Sequence, residues 1–335
     1  MPELPEVEWF RQLLLPFVST EFPLSLSLTS DRSDSVKFSR NDISNLFGDG
    51  NRSDGKRQHF LKSVNRKGKL IYLHLIQDNS CDDNIVSASC ASRDDRDHGD
   101  SQDTYLFLHM GMTGRISTPE SSITLETSKR EENETKESFP PPHTHLLFQS
   151  ANHVASFSDP RKFGRVNVRT SLCEVNELAP DALNDDDEFD GSCTKLEGRK
   201  AAIKSLLLDQ KYSLSGIGNW CADEILYRSC IHPDQKNLSR EECTTIMKEI
   251  KFVLSTAVGC LSDESSFPSD WIFHLRWNKA HPRTSDVNGR PLVFVKSSGR
   301  TSLIAPCIQK KTNRSFSTKE RYVEKNSAKR RKQKK

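Results

Sequence analysis

The sequence predicts an α+β chain: an N-terminal β-sandwich domain led by one helix, a helical middle, and a small C-terminal β-hairpin finger. Three observations predict it. The runs GKLIYLHLI (68–76), TYLFLHMGM (104–112), HLLFQS (145–150) and GRVNV (164–168) occupy the first half. Their shortness and their β-branched and aromatic content favour strands of an antiparallel, sandwich-like domain. From residue 200 the pattern turns helical, in KAAIKSLLLDQ (200–210) and NWCADEILYRSC (219–230). Finally, NGRPLVFVKSSGRTSLIA (288–305) places two β runs around the turn signal SSG, which reads as a hairpin.

Each element follows in chain order. Val7, Phe10, Leu13, Leu14 and Phe17 recur near helical spacing behind Pro5, and proline suits a first helical turn. The stretches 77–103 and 117–142 are rich in Ser, Asp, Glu and Pro and read as disordered insertions. An acidic linker is expected at 171–190. Beyond it, the helices at 200–210 and 219–230 are joined by a glycine-containing turn, KYSLSGIG. Ser239 and Glu242 make an S-x-x-E capping box for a further helix through IMKEIKFVLSTAV. The expected domains are therefore 1–170, the linker 171–190, a helical domain 191–265, a finger 266–308 and a basic disordered tail 309–335.

Charge narrows the function. The formal net charge of the 335 residues is +3, but residues 310–335 alone carry +10, against −5 for 81–103 and −8 for 171–190. A moderately basic body with a strongly basic tail points to a polyanionic partner, most simply nucleic acid. No apolar run approaches the ~20 residues of a membrane span, and the acidic N-terminus lacks the pattern of a signal peptide. Nine cysteines stand without a C-x-x-C pair, which suits reduced thiols better than a disulfide framework or a zinc site. No metal or small-molecule cofactor is expected.

Two stretches carry chemistry. In MPELPEVE, removal of Met1 would leave Pro2 with a free secondary amine, flanked by Glu3 and Glu6. An α-amino group titrates near pH ~8, so an appreciable fraction is nucleophilic at neutral pH, and carboxylates nearby can move protons. An ordinary helix start is the competing reading of these residues. In GIGN, Gly216 and Gly218 let a backbone approach a phosphate, and Asn219 at the helix start adds a donor. Lys200 and Lys204, four apart, are expected on one helix face, where they would meet the same backbone.

MPELPEVE, RKGK, HMGMTG, DPRKFGR, ELAPDAL, AAIKSLLLDQ and GIGNWCADEILY occur in this order, and in that order they resemble the formamidopyrimidine-DNA glycosylase family of base-excision repair. Leu4 resembles the formamidopyrimidine branch rather than the endonuclease VIII branch. The resemblance implies a helix-two-turns-helix domain, and a bifunctional glycosylase/AP lyase acting as a monomer on damaged double-stranded DNA. It implies Pro2 as the nucleophile that attacks C1′, Glu3 as the acid assisting sugar ring opening and Glu6 as a supporting carboxylate. Lys69 would transfer a proton in β-elimination, and Arg300 would serve δ-elimination and the phosphate beside the lesion. His143, Arg161, Lys200, Lys204, Gly218 and Asn219 match DNA-holding positions; Met112, Arg161 and Phe163 match the side chains that fill the gap left by an extruded base. The segment FPSDWIFHLRW with VNGRPLVFVKSSGRTS resembles the plant and fungal branch with its zincless finger, packed here by Trp271, Phe273, Val293 and Phe294. That branch implies ring-opened formamidopyrimidines and hydantoins as substrates, with 8-oxoguanine less certain. The tail KRRKQKK resembles a nuclear localisation signal and equally suits non-specific DNA affinity. Two alternatives are an endonuclease VIII-like preference for oxidised pyrimidines and a non-catalytic DNA-binding relative.

Overall fold

The structure is a computed structural model that describes residues 2–29, 40–47, 58–77, 103–121, 139–185, 188–277 and 285–312. Most of both insertions and of the basic tail lies outside these residues, as does Met1. The chain divides into two compact units, one of residues 1–177 with 258–265 and one of 178–257 with 266–335.

The first unit opens with α1 (Leu4–Leu14), whose Val7, Phe10 and Leu14 are buried. After β1 (Ser25–Leu28) and α2 (Arg40–Phe47) come β2 (His59–Lys67), β3 (Leu70–Gln77), β4 (Thr104–His109), β5 (Arg115–Ser117), β6 (Thr144–Ser150), β7 (His153–Ser158) and β8 (Arg165–Arg169). They form two four-stranded antiparallel sheets, ordered β1-β6-β7-β5 and β2-β3-β4-β8. Ile71, Leu73, Leu75, Leu106, Leu108, Phe148 and Phe157 share one apolar core with the α1 face. The alternation is that of a sheet buried on one side: Ile71, Leu73 and Leu75 point inward, while Tyr72 and His74 are only half-buried.

The four expected strands are present, but the run expected over 104–112 stops at His109, before Gly111 takes a φ of +62°. Strands β1, β2, β5 and β7 have no counterpart in the sequence reading. In β2, HFLKSVNRK, a register shift between Leu61 and Ser63 lets both Leu61 and Val64 be buried although they are three apart, so the strand shows no period-2 apolar pattern. A one-turn α3 (Cys173–Asn176) closes this unit's main segment.

The second unit holds α4 (Phe189–Leu196), α5 (Ile203–Leu208), α6 (Asn219–Arg228), α7 (Arg240–Gly259), and the hairpin β9 (Val293–Ser297) with β10 (Arg300–Ile304). The expected capping box of α7 is made, with Ser239 N–H donating to Glu242 Oε2 (2.8 Å) and Glu242 N–H to Ser239 Oγ (3.3 Å). In the acidic stretch expected as a linker, the described residues 178–185 and 188–190 belong to this folded unit. Asp181 is buried, bridges to Ser215, and caps the Leu183 and Asn184 amides (3.0 and 3.1 Å). Acidic composition alone does not separate a solvated linker from aspartates used as turn caps. Trp220, Phe267, Trp271 and Phe273 form an aromatic cluster with centroids 5.0–6.4 Å apart. Phe294 packs on a satellite core with Tyr227, Ile272, Leu292 and Leu303. Val293, by contrast, is 41% exposed and does not serve the packing expected of it.

Candidate active site and nucleic-acid interface

In the first unit the site grows from the start of α1. Glu3 is its N-cap, with a side chain that accepts the Glu6 N–H while Glu6 Oε2 accepts the Glu3 N–H at 2.9 Å. This reciprocal box, with Pro5 in the first turn, fixes the backbone immediately after Pro2. Glu3 is 2% exposed, so its carboxylate is held rather than solvated; Pro2 and Glu6 are half-buried.

One turn further on, Glu8 fastens a second piece of the site. Glu8 Oε2 accepts Arg66 Nε at 2.8 Å, and Glu8 Oε1 accepts Arg11 NH2 at 2.7 Å. Burial alone would raise the Glu8 carboxyl, but hydrogen bonds from the two guanidiniums outweigh it and hold the group below the usual glutamate range. Arg66 NH1 also donates to the Gly68 carbonyl (2.9 Å). Gly68 (φ +57°) and Lys69 are the two-residue turn between β2 and β3, with glycine at the position that needs positive φ. The chain Glu8–Arg66–Gly68 therefore ties the turn carrying half-buried Lys69 to α1, the helix that follows Pro2 and Glu3.

Two loops of the same unit meet backbone to backbone. A Cβ on Gly111 would lie 2.4–2.6 Å from the Phe163–Gly164 peptide, so only glycine fits. Fully buried Asp159 accepts Thr113 Oγ1 (2.5 Å) and Arg161 N–H (3.2 Å) on one oxygen and Gly164 N–H (2.7 Å) on the other. Its own N–H donates to the carbonyl of exposed His143 (3.0 Å). Met112, half-buried, thus stands on a loop locked to the one carrying Arg161 and Phe163. The Arg161 guanidinium lies 5.0 Å from the Phe163 ring centroid, and Phe163 is 41% exposed, which is not a core position.

In the second unit Gly218 is the N-cap of α6, in extended conformation, and Asn219 is its first residue. Gln210 wires the preceding turn, donating to the Leu208 and Ile217 carbonyls (2.9 and 3.0 Å) and accepting Gly216 N–H (2.9 Å). Asn219 Nδ2 donates to the Thr301 carbonyl at 3.3 Å. That bond joins the helix start to β10, whose first residue is exposed Arg300.

The family model described as the Formamidopyrimidine-DNA glycosylase N-terminal domain matches residues 1–166, and that of the Formamidopyrimidine-DNA glycosylase H2TH domain matches residues 178–268. The chain belongs to the formamidopyrimidine-DNA glycosylase family. It is similar to the formamidopyrimidine-DNA glycosylase of Arabidopsis thaliana, 37% identical over 209 residues, 61% of this chain and 52% of that one. The enzyme of Heliobacterium modesticaldum is 30% identical over 266 residues, 77% of this chain and 79% of that one. Among solved structures, the Thermus thermophilus protein aligns with a TM-score of 0.60 at 24% identity, and the Lactococcus lactis protein bound to AP-site DNA with 0.62 at 19%. These alignments take in 93% and 92% of this chain and the whole of each neighbour, and they show the fold.

Family membership makes the chain a DNA glycosylase. Within each unit of this glycosylase the structure links several residues expected from the sequence: Glu3 bonds Glu6 beside Pro2, Met112 stands on a loop locked to that of Arg161 and Phe163, and Asn219 bonds the residue next to Arg300. The pairing of Lys200 and Lys204 on one helix face is corrected. Helix α5 starts only at Ile203, because Ala202 is extended, and leaves Lys200 before it. Lys200 is exposed, whereas Lys204 is fully buried, its ammonium 2.5 Å from Asp223 Oδ1 and 2.5 Å from Ser302 Oγ. Lys204 is therefore an internal cation and no surface contact for a phosphate. Asp159, Glu8, Arg66 and Asp223 were missed by the sequence reading. Asp159 carries a local signal, an Asp-Pro that opens a turn, and Glu8 a local partner in Arg11, three residues on; Arg66 and Asp223 find their partners far off in sequence.

Proposed function

We propose that this glycosylase excises oxidised or ring-opened purines from damaged duplex DNA and then cleaves the strand as an AP lyase, working as a monomer. With Met1 removed, the Pro2 nitrogen attacks C1′ as the base departs with the electrons of the glycosidic bond and gains a proton. Glu3 assists opening of the sugar, which yields an iminium. Lys69 then moves the C2′ proton as the 3′ phosphate leaves, and Arg300 stabilises the phosphate released by δ-elimination. The observation that carries this reading is the doubly bonded Glu3–Glu6 box that orients the start of α1, with the Glu8–Arg66–Gly68 tie to the Lys69 turn.

DNA is held at the Gly218–Asn219 helix start, whose backbone dipole favours phosphate, and by His143, Arg161 and Lys200. Met112, Arg161 and Phe163 fill the gap left by the extruded nucleotide, offsetting an unstacking cost of a few kcal/mol. Ring-opened formamidopyrimidines and hydantoins are the preferred lesions. The finger is zincless, held by packing and ion pairs, and no cofactor is assigned. The basic tail, outside the described residues, directs the protein to the nucleus.

A borohydride trap tests the proposal. A duplex carrying one formamidopyrimidine is expected to yield a covalent adduct that maps to Pro2. The Pro2→Gly variant, which keeps only a primary amine, is expected to lose the adduct or form it far more slowly while its Kd for the duplex stays within about threefold. An adduct that forms in Pro2→Gly at the wild-type rate, or an affinity that falls in parallel with trapping, overturns the assignment.

A further inference from the structure

We propose that Lys204, Asp223 and Arg276 form a buried ionic clamp that positions Arg300 against the start of α6 and so sets the rate of the strand-cleavage steps. The inference rests on the role given above to Arg300.

The argument begins with the free edge of the hairpin. Ser298 and Gly299, with φ of +52° and +72°, make a two-residue turn in which Ser297 pairs with Arg300. Both central residues at positive φ are the mark of a type I′ turn. In such a hairpin the flanking pair exchanges main-chain bonds, so alternate residues of β10, Thr301 and Leu303, turn their N–H and C=O groups away from β9. A two-stranded hairpin is marginal alone, and these edge groups need partners if they are covered.

The clamp supplies the partners. Asp223, 3% exposed on α6, accepts Leu303 N–H on Oδ2 at 3.2 Å. The same oxygen pairs with Arg276 NH1, and Asp223 Oδ1 pairs with Lys204 Nζ at 2.5 Å. The Thr301 carbonyl receives Arg276 NH2 at 3.2 Å and Asn219 Nδ2 at 3.3 Å, with Lys204 Nζ at 3.5 Å. Lys204 also reaches Ser302 Oγ at 2.5 Å. Four consecutive residues, 300–303, thus contain the exposed arginine and three groups held by the clamp. The carbonyl of Thr301 is one residue from Arg300, so a shift at the clamp moves the arginine with little slack. Asn219, expected to touch phosphate, shares that carbonyl with Arg276. The helix start and the arginine therefore share one anchor.

The test is a double-mutant cycle with the full chain. Single-turnover cleavage of an abasic-site duplex is measured at saturating protein for wild type, Asp223→Asn, Arg300→Ala and the double variant, with borohydride trapping in parallel. Asp223→Asn is expected to slow cleavage about tenfold or more, with trapping changed by less than about threefold. In the Arg300→Ala background the same change should cost less than about threefold, because the clamp acts through the arginine. Hydrogen exchange should show the Leu303 amide losing protection in Asp223→Asn. Full additivity of the two changes, or an unaltered Leu303 amide, overturns the clamp. If Asp223→Asn does not fold, Arg276→Lys keeps the charge, loses the reach to the Thr301 carbonyl, and takes its place with the same criteria. A wild-type protein that gives no adduct at all overturns the parent reading instead, and the Leu303 exchange then decides the clamp by itself.

Discussion

The Lys69 turn of the first unit and the Arg300 turn of the second solve one problem with unequal means. Each presents a cationic residue at a two-residue hairpin turn, Lys69 within it and Arg300 directly after it, and in each a buried carboxylate on a helix holds an arginine that donates to a carbonyl beside that residue. Glu8 holds Arg66, which donates to Gly68; Asp223 holds Arg276, which donates to Thr301. The difference lies in what else supports the turn. The β2–β3 turn belongs to a four-stranded sheet over the main core, whereas β9–β10 is a two-stranded sheet. The second turn accordingly enlists Lys204, Asn219, Ser302 and the Leu303 amide as well. Side-chain charge does at β10 what neighbouring strands do at β3, and the comparison teaches that a hairpin short of strands can be held by ions.

The hardest blow to that comparison is Asp223→Ala. It leaves Lys204 and Arg276 without their carboxylate, and removing one partner of a buried pair costs ~3–5 kcal/mol. Urea denaturation should report that loss, with the amides of 300–304 deprotected first. Glu8→Ala should cost less, because it strands one buried cation, Arg66, rather than two, while Arg11 is partly exposed (24%) and can turn to water, and the β2–β3 amides should keep their protection. Equal losses and equal deprotection would remove the distinction drawn between the two turns.

Next comes pH, where the two regions should respond with opposite sign. Glu224, beside Asp223 on α6, is pushed up to about 8, chiefly by burial; its Oε2 accepts Phe273 N–H at 3.1 Å and its Oε1 has no hydrogen-bond partner among the described residues. A carboxyl raised in the fold stays protonated there while the unfolded chain ionises, so the second unit loses stability between about pH 4.5 and about 8. At about 1.4 kcal/mol per unit the loss is a few kcal/mol. Glu224→Gln, a mimic of the protonated form, should flatten that slope. Glu8 is lowered, so its contribution is present above the usual glutamate range and is lost as pH falls through its depressed value. A melting-temperature profile from pH 4 to pH 9 on wild type and Glu224→Gln checks both signs.

Smaller changes sharpen the comparison. Ser302→Ala removes one hydrogen bond to Lys204 and should cost ~1 kcal/mol, chiefly in hairpin protection. Gly299→Ala meets no atom within 4 Å, yet its φ of +72° makes any side chain strained, for ~1 kcal/mol. Ser298→Asn, which suits the positive φ of a type I′ turn, should stabilise the hairpin by a few tenths of a kcal/mol. That gain should show as slower exchange at 293–304 with no change at 59–77.

Periodicity in the sequence was enough for α1, the 239–259 helix with its Ser239–Glu242 box, the strands β3, β4, β6 and β8, and the hairpin around Ser298–Gly299. In each case the signal is local: side chains a few residues apart on one face, or a turn whose chemistry is set by two neighbours. The motif MPELPEVE likewise contained its whole capping box, since Glu3 and Glu6 are three apart. The strands β1, β2, β5 and β7 escaped because polar residues on the open face, a register shift in β2, or too few residues blur an alternation that only pairing with a partner strand makes visible.

What only the tertiary structure decided is where charge is hidden. By spacing alone Lys204 was a surface cation beside Lys200; the fold buries it against Asp223 and Ser302, 19 and 98 residues away. Arg66 pairs with Glu8 across 58 residues, and Asp159 gathers a loop 46 residues upstream. Amino-acid order determines which groups can ionise and which short segments cap themselves. A desolvated ion is stable only where the fold brings its counter-ion and hydrogen-bond partners to it, and that meeting is a property of packing.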